Sequence, residues 1–465
     1  MDKTQKQVIW VIGLIILYFI LSSLPCPAGL EPIGLKAIAL MVVVVITWIT
    51  EVVPIAMSAL LFVFLQALIG ITDVNTAVAN FATPTLLFVL SSFFLAFALE
   101  FSGLSNRISM KLTVLSGGNP KKALLYLMVA TALVSTVISD VPACAAFFPI
   151  GLALLKKNNC LAGSSNFGKS MMIGIPFASL IGGVATPAGS SLNVLAIGLL
   201  KSSVNIDVTF TQWSGLGIPF VIVTLPLTWL ILSWVFKPEI EHLEGIAEIE
   251  QDYKALGPIT AKEVKFIVIF LILLVTWFTE GKLHSVPIAA STTIGAVLFF
   301  LPGIDLLTWD GTKNKIGWNT ILLIGAASSL GTALWKSGAA AWLAQSALQG
   351  IAGASMLVVV LFVVIFTILI HLLVPVNPAI VSIMVPSLAA FAATSGMSPA
   401  LLIVPMAFTV SSAMLIPLDP VPLITYPSGY YNMKDFFKGG CPASILWAIL
   451  MTIAILVLAG PVGLI

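Results

Sequence analysis

The chain has 465 residues, 59% of them hydrophobic and 9% charged, with a net charge of +2. A soluble domain carries about 25% charged residues, so this composition excludes a soluble globular protein and implies repeated membrane passages. The small net charge supplies no field for nucleic acid, so no nucleic-acid partner is expected, and Cys26, Cys144, Cys160 and Cys441 show no metal or disulfide spacing.

Lys3 and Lys6 precede an apolar run from Val8 to Leu24. That run is longer than the roughly 7 to 15 residues of a signal-peptide core, so residues 1–32 read as a first transmembrane helix with a cytoplasmic N-terminus. Further spans are predicted near 34–50, 53–70, 83–101, 170–200, 214–236, 264–280, 286–301, 319–336, 399–430 and 441–464, eleven in all. Residues 123–155 and 355–394 are apolar but interrupted mid-way by Pro and polar residues. They read as re-entrant hairpins, which a membrane allows only where protein or a water-filled cavity covers the open backbone. This threading leaves Lys36, Lys201, Lys282 and Lys336 outside and the other 17 of the 21 Lys and Arg residues inside. That split obeys the positive-inside rule and puts the C-terminus outside. The polar stretch 237–263 reads as a cytoplasmic linker without chemistry of its own.

The halves on either side of that linker resemble each other. TWITEVVPIA at 47–56 returns as TWFTEGKLHSVPIA at 276–289, and LEFSG at 99–103 as LWKSG at 334–338. Asp140 stands nine residues before Pro149, and Asn377 nine before Pro386. Thr186-Pro187 and Ile416-Pro417 sit at corresponding breaks. In the threading the two copies of T-W-x-T-E run in opposite directions. The chain therefore reads as two inverted repeats, 33–236 and 264–465, the pattern of secondary transporters with a site at the midplane.

Four breaks converge on that midplane: SDVPA (139–143), ATPAGSSLN (185–193), PVNPA (375–379) and IPLDPVP (416–422). Pro and Gly release backbone groups from the helix ladder. Half-helix N-termini suit an anion, and C-terminal carbonyls suit a small cation. The polar side chains available there are Ser139, Asp140, Ser190, Ser191, Asn193, Asn377 and Asp419. The chain's one arginine, Arg107, lies at the cytoplasmic rim, so no guanidinium fork is on hand inside the membrane.

GSSNFGKS at 163–170 fits the letters of a phosphate-binding loop, but the mechanism needs a preceding strand and a soluble helix, and here a membrane span follows. An intramembrane enzyme is not expected: H-E-x-x-H and G-x-S-x-G are absent, and His242, His284 and His371 form no cluster. A channel is the other class with hairpins, but converging acids and breaks favour an occluding carrier.

These features resemble the divalent-anion:sodium symporter family (DASS, including the INDY proteins and bacterial di- and tricarboxylate carriers). The resemblance covers nearly the whole chain. It implies an all-α polytopic elevator-type transporter with scaffold and transport domains, working as a homodimer, and a dicarboxylate substrate such as succinate, malate, fumarate or 2-oxoglutarate. The family carries Ser-Asn-Thr at each hairpin tip; here the tips read Ser139-Asp140-Val141 and Val376-Asn377-Pro378. The loops read Gly189-Ser190-Ser191-Leu192-Asn193 and Asp419-Pro420-Val421-Pro422. Carried over onto these positions, substrate contacts are expected at Ser139, Asp140 and Val141, at Ser190, Ser191 and Asn193, and at Asn377, Pro378, Pro420 and Pro422. One coupling-ion position is expected around Ser135, Ser139, Asp140 and Gly189, the other around Asn377 and Asp419. His371, one turn before the second tip, has two readings: a cation that pairs with Asp419 and stands in for a sodium ion, or a core histidine satisfied by a backbone carbonyl. The first reading favours sodium-independent dicarboxylate exchange. Sodium symport through a strengthened Asp140 site and proton coupling through Asp140 are the alternatives, and no cofactor beyond Na⁺ or H⁺ is expected.

Overall fold

The structure, a computed structural model, describes residues 3–351, 353–374 and 376–464; Pro375 of the PVNPA segment lies outside them. Among the described residues every regular element is helical, and the one β contact is an isolated bridge between Glu280 and His284. Among the described residues seven helical segments, Val74–Ser102 counted as one, are at least 18 residues long and apolar enough to cross a membrane, and five shorter apolar helices accompany them. The first, Lys3–Ser22, leaves Ile9, Trp10, Ile12, Phe19 and Ile20 about half exposed. Hydrocarbon on that face is a solvent such side chains tolerate, whereas water is not.

The two interrupted segments fold as helix pairs. Pro120–Ile138 and Asp140–Lys157 meet at Ser139, and Met356–Ile370 and Asn377–Ser395 meet near Val376. The segment 170–200 is a broken helix: Asn166–Gly183, a single 3₁₀ turn at Pro187–Gly189, then Ser191–Val204. Its counterpart is opened further. Pro399–Val410 is followed by non-helical chain until the single turn Pro422–Thr425. Thr186 precedes Pro187 in extended backbone, as steric clash with a following proline ring requires.

Three short helices occupy stretches that hydropathy reads as connections: Val74–Phe81, Leu104–Leu115 and Ala339–Leu348. The last two follow the two matching pieces LEFSG and LWKSG. Each follows a glycine in left-handed backbone, Gly103 at φ 85° and Gly338 at φ 74°, which ends the preceding membrane helix and turns the chain. Glycine suits that angle because it has no Cβ to clash.

Buried apolar residues form two clusters. A small one joins the N-terminal helices to Trp318–Lys336 through Trp48, Phe62 and Leu330. A large one contains both helix pairs and the broken helices, including Phe147, Phe177, Phe408 and Trp447. Asn166–Gly183 is buried along almost its whole length, so the first break sits in protein and not in lipid.

Candidate functional site: two acids at facing helix breaks

The first tip turns at Ser139, with φ 72° and ψ 153°. This region is nearly restricted to glycine and costs on the order of 1–3 kcal/mol for any other residue. The hydroxyl gives a reason to keep serine there: Ser139 Oγ–H donates to Asp140 Oδ1 at 3.0 Å. Asp140 opens the second helix of the pair, and the Val141 N–H donates to the same oxygen at 2.9 Å. Ser190 Oγ–H, from the first broken helix, reaches Asp140 Oδ2 at 3.4 Å.

Close backbone approach holds this tip against the break. A Cβ on Gly189 would lie 2.5 Å from Gly183 O and 2.9 Å from Ser135 O. Asn193 closes the break by donating both amide hydrogens, to Gly183 O at 2.8 Å and Thr186 O at 2.9 Å. Its Oδ1 is buried without a partner. Ser135 donates to Ser179 O at 2.7 Å, so its hydroxyl is spent on the hairpin–helix contact and not on Asp140. Ser179 Oγ–H in turn donates to Asp140 O at 2.5 Å.

The second half is built differently. Asp419 lies in the open stretch and accepts from Asn377 Nδ2 at 2.6 Å and from the Val421 N–H at 2.9 Å. Asn377 Oδ1 is buried and unpartnered, and Asn377 lines a cavity of about 10 Å³ together with Asp419, His371, Ser412 and Met414. The expected His371–Asp419 ion pair is not formed. The ring nitrogens face two carbonyls instead, Thr367 O from Nδ1 at 2.7 Å and Val410 O from Nε2 at 2.9 Å. The reason is local: His371 stands one turn after Thr367, so its ring meets that carbonyl, and the break leaves Val410 O free to take the other nitrogen.

The two halves meet through Cys144, one turn beyond Asp140, whose thiol lies 3.5 Å from Val421 O. The turn Pro422–Thr425 packs on the helices Asp140–Lys157 and Asn166–Gly183, and Ser191–Val204 packs on Asn377–Ser395. Two buried carboxylates therefore face one centre, and among the described residues neither makes an ion pair. Around them Ser191 and Pro378 are half-buried, Pro422 is buried, and Val141 and Pro420 are exposed.

The chemistry of this arrangement is specific. Two carboxylates already take N–H donors at Val141 and Val421, donors that a substrate anion would otherwise use. An isolated carboxylate in a low-dielectric interior is costly, and a cation at each offsets that cost. Asn193 Oδ1 and Asn377 Oδ1 are hard oxygen acceptors of the kind that suit Na⁺. Sequence reasoning missed Ser179, Gly183 and Cys144. Ser179 and Gly183 lie one turn apart just before the break, which is the signal that could have found them.

The GSSNFGKS stretch is a helix start and not a nucleotide site. Ser165 caps Asn166–Gly183, and the Glu239 carboxylate from the linker accepts from Phe167 N–H at 2.9 Å and from the Ser165 hydroxyl. Lys169 pairs with Asp435 at 3.0 Å.

A family described as the sodium:sulfate symporter transmembrane region matches residues 5–465. The chain belongs to this family. It is a multi-pass membrane transporter and not an enzyme, as the family dictates. Among its relatives is a protein of Staphylococcus saprophyticus named sodium-dependent dicarboxylate transporter SdcS, 27% identical over 97% of this chain and 92% of that protein. The SdcS of Staphylococcus aureus USA300 is 28% identical over 96% of this chain and 90% of its own length. Solved structures share the fold: the Alcanivorax borkumensis YdaH transporter at TM-score 0.56 and 15% identity, covering 98% of both chains. Neisseria gonorrhoeae MtrF, described among antimetabolite efflux pumps, superposes at TM-score 0.56 with 13% identity over 97% of this chain and 94% of its own.

Proposed function

We propose that this protein is a sodium-coupled symporter of C4 or C5 dicarboxylates in the plasma membrane, with its N-terminus cytoplasmic and its C-terminus outside. The observation that carries the reading is the pair of buried, unpaired carboxylates, Asp140 and Asp419, at the breaks where a dianion must sit. Two negative charges repel a third and fourth, so the dianion enters only with a cation at the acids. That requirement is coupling in physical terms, because substrate and cation stabilise each other and neither binds well alone. The two staphylococcal relatives named above are sodium-dependent dicarboxylate transporters, which supports the same reading. Sodium-independent exchange, the first expectation from sequence, loses its basis along with the His371–Asp419 pair.

In this proposal the helices beginning at Asp140, Ser191 and Asn377 direct partial positive charge at the centre. Ser139, Ser190 and Ser191 supply hydroxyls, and the exposed residues Val141 and Pro420 mark the side from which the substrate enters. Two inverted repeats, an elevator motion and a homodimer belong to the proposal as the resemblance implies them.

The test is uptake of radiolabelled succinate into proteoliposomes that contain no dicarboxylate. An inward sodium gradient should drive accumulation, and Asp140→Asn should weaken the sodium dependence by roughly tenfold or more, the scale of a lost charge-assisted contact. Uptake that needs internal dicarboxylate and ignores sodium would overturn the reading.

A further inference from the structure

The chain around Asp419 cannot hold its own shape. Asp419-Pro420-Val421-Pro422 contains two prolines, so two backbone donors are missing. The helix that follows, Pro422–Thr425, is one turn long, and one turn makes too few hydrogen bonds to offset the entropy of fixing it. Where Asp419 stands is therefore decided by what grips that turn from outside.

Two side chains do so. Cys144, from the first half, brings its thiol to 3.5 Å from Val421 O, and a thiol is a weak donor. Tyr431 grips harder. Its hydroxyl donates to Pro422 O at 3.0 Å and lies 2.9 Å from Thr425 Oγ1, so one buried hydroxyl meets both ends of the turn.

Tyr431 is itself fixed. Its ring lies against Phe436, with centroids 5.6 Å apart, and meets Tyr426 edge-on at 5.5 Å. Phe436 meets Phe177 edge-on at 5.2 Å. Phe177 belongs to Asn166–Gly183 and stands two residues before Ser179, whose hydroxyl holds the Asp140 carbonyl. Lys169 of the same helix pairs with Asp435, beside Phe436. Close-packed rings transmit position because they have little room to shift. One buried helix thus sets both acids: Asp140 through Ser179, and Asp419 through Phe177, Phe436 and Tyr431.

Tyr430 gives the contrast. It is as buried as its neighbour, 4% exposed in each case, and its hydroxyl also donates to a carbonyl at 3.0 Å. That carbonyl is Cys160 O, just beyond the first helix pair and apart from the turn.

We propose that Tyr431 is a positioning residue of the site: its hydroxyl fixes the turn after Asp419 against the helix that holds Asp140, so that the two halves present one matched geometry to cation and substrate. It touches neither of them. The choice of sodium as the ligand to titrate rests on the symport reading above; the positioning role does not.

The test compares Tyr431→Phe with Tyr430→Phe, each of which removes one buried hydroxyl and keeps the ring. Both should lower the melting temperature in detergent alike. In proteoliposomes, Tyr431→Phe should raise the sodium concentration that half-saturates succinate uptake by about three- to tenfold, the scale of one hydrogen bond, and keep the maximal rate. Tyr430→Phe should leave half-saturation where it is. An unchanged value in Tyr431→Phe, or an equal shift in both variants, overturns the proposal, because the hydroxyl then serves only the fold. Thr425→Val loosens the same contact from the side of the turn and decides the matter if Tyr431→Phe does not fold. Its half-saturation should rise as well, and an unchanged value overturns the proposal. If the unmodified protein takes up succinate without sodium, the symport reading fails. The same comparison is then made on succinate half-saturation, where Tyr431→Phe alone should shift, and the absence of that shift sinks the positioning role too.

Discussion

At the scale of single residues, the site is set by what is small and what is short. Gly189 and Gly183 bring two backbone segments so close that any side chain would strike main-chain oxygen. Backbone cannot swing aside as a long side chain can. Gly189→Ala should therefore destabilise the protein by about 1–3 kcal/mol through overpacking and reduce uptake as the break shifts from the tip. Thermal unfolding in detergent, alongside uptake, checks this; an unchanged melting temperature would mean the break relaxes freely. The same scale explains Ser139. Its backbone angle suits glycine, yet its hydroxyl holds Asp140, so strain is accepted where a polar contact to the acid is gained. Motif comparison placed Ser139, Asp140, Asn377 and Asp419 at the helix breaks, where the structure also has them. It did not anticipate that Ser135 bonds to Ser179, and it left open whether His371 meets an acid or a backbone carbonyl, because both depend on which helix lies alongside.

At the scale of elements, the 237–263 linker has a structural part to play. Glu239 places its carboxylate on the N-terminus of Asn166–Gly183. Asn158, at the end of the first helix pair, bonds to Glu244 in both directions, accepting its N–H at 2.7 Å and donating to its carbonyl at 3.3 Å. At the other end Arg107 pairs with Glu263 at 2.5 Å and donates to Gly257 O and Pro258 O. Partial burial by itself would raise the Glu239 pKa. The Ser165 hydroxyl and the Phe167 N–H outweigh that and hold it below the ordinary glutamate value. A lowered pKa means that the carboxylate stabilises the fold fully above the ordinary value near 4.3 and loses that contribution as pH falls through the lowered value. Glu239→Gln should accordingly lower the melting temperature at neutral pH, and the difference from the unmodified protein should close on acidification. A gap that persists in acid would place the effect in packing and not in charge. The linker's polarity was plain in the sequence; its role as a clasp was not, since each of its partners lies far away along the chain.

At the scale of the whole molecule, the direction proposed from charge counted along the sequence can be tested at one thiol. The threading puts the turn after the first helix outside, and Cys26 is exposed there. Cys144 and Cys160 are buried and Cys441 is half-buried. A membrane-impermeant maleimide should label Cys26 in intact cells, with Cys26→Ser as the blank. Labelling only after permeabilisation would invert the topology. The sequence by itself determined the helical membrane architecture, the two interrupted segments, the four breaks and the residues placed in them. Hydrocarbon imposes a strong local rule, because every residue in a span must be apolar or accounted for, and exceptions stand out. Only the tertiary structure decided how those exceptions are used: that Asp140 and Asp419 face one centre unpaired, and that His371 turns to backbone carbonyls and not to an acid. Those outcomes depend on contacts between residues tens to hundreds of positions apart, and no periodicity along the chain records them.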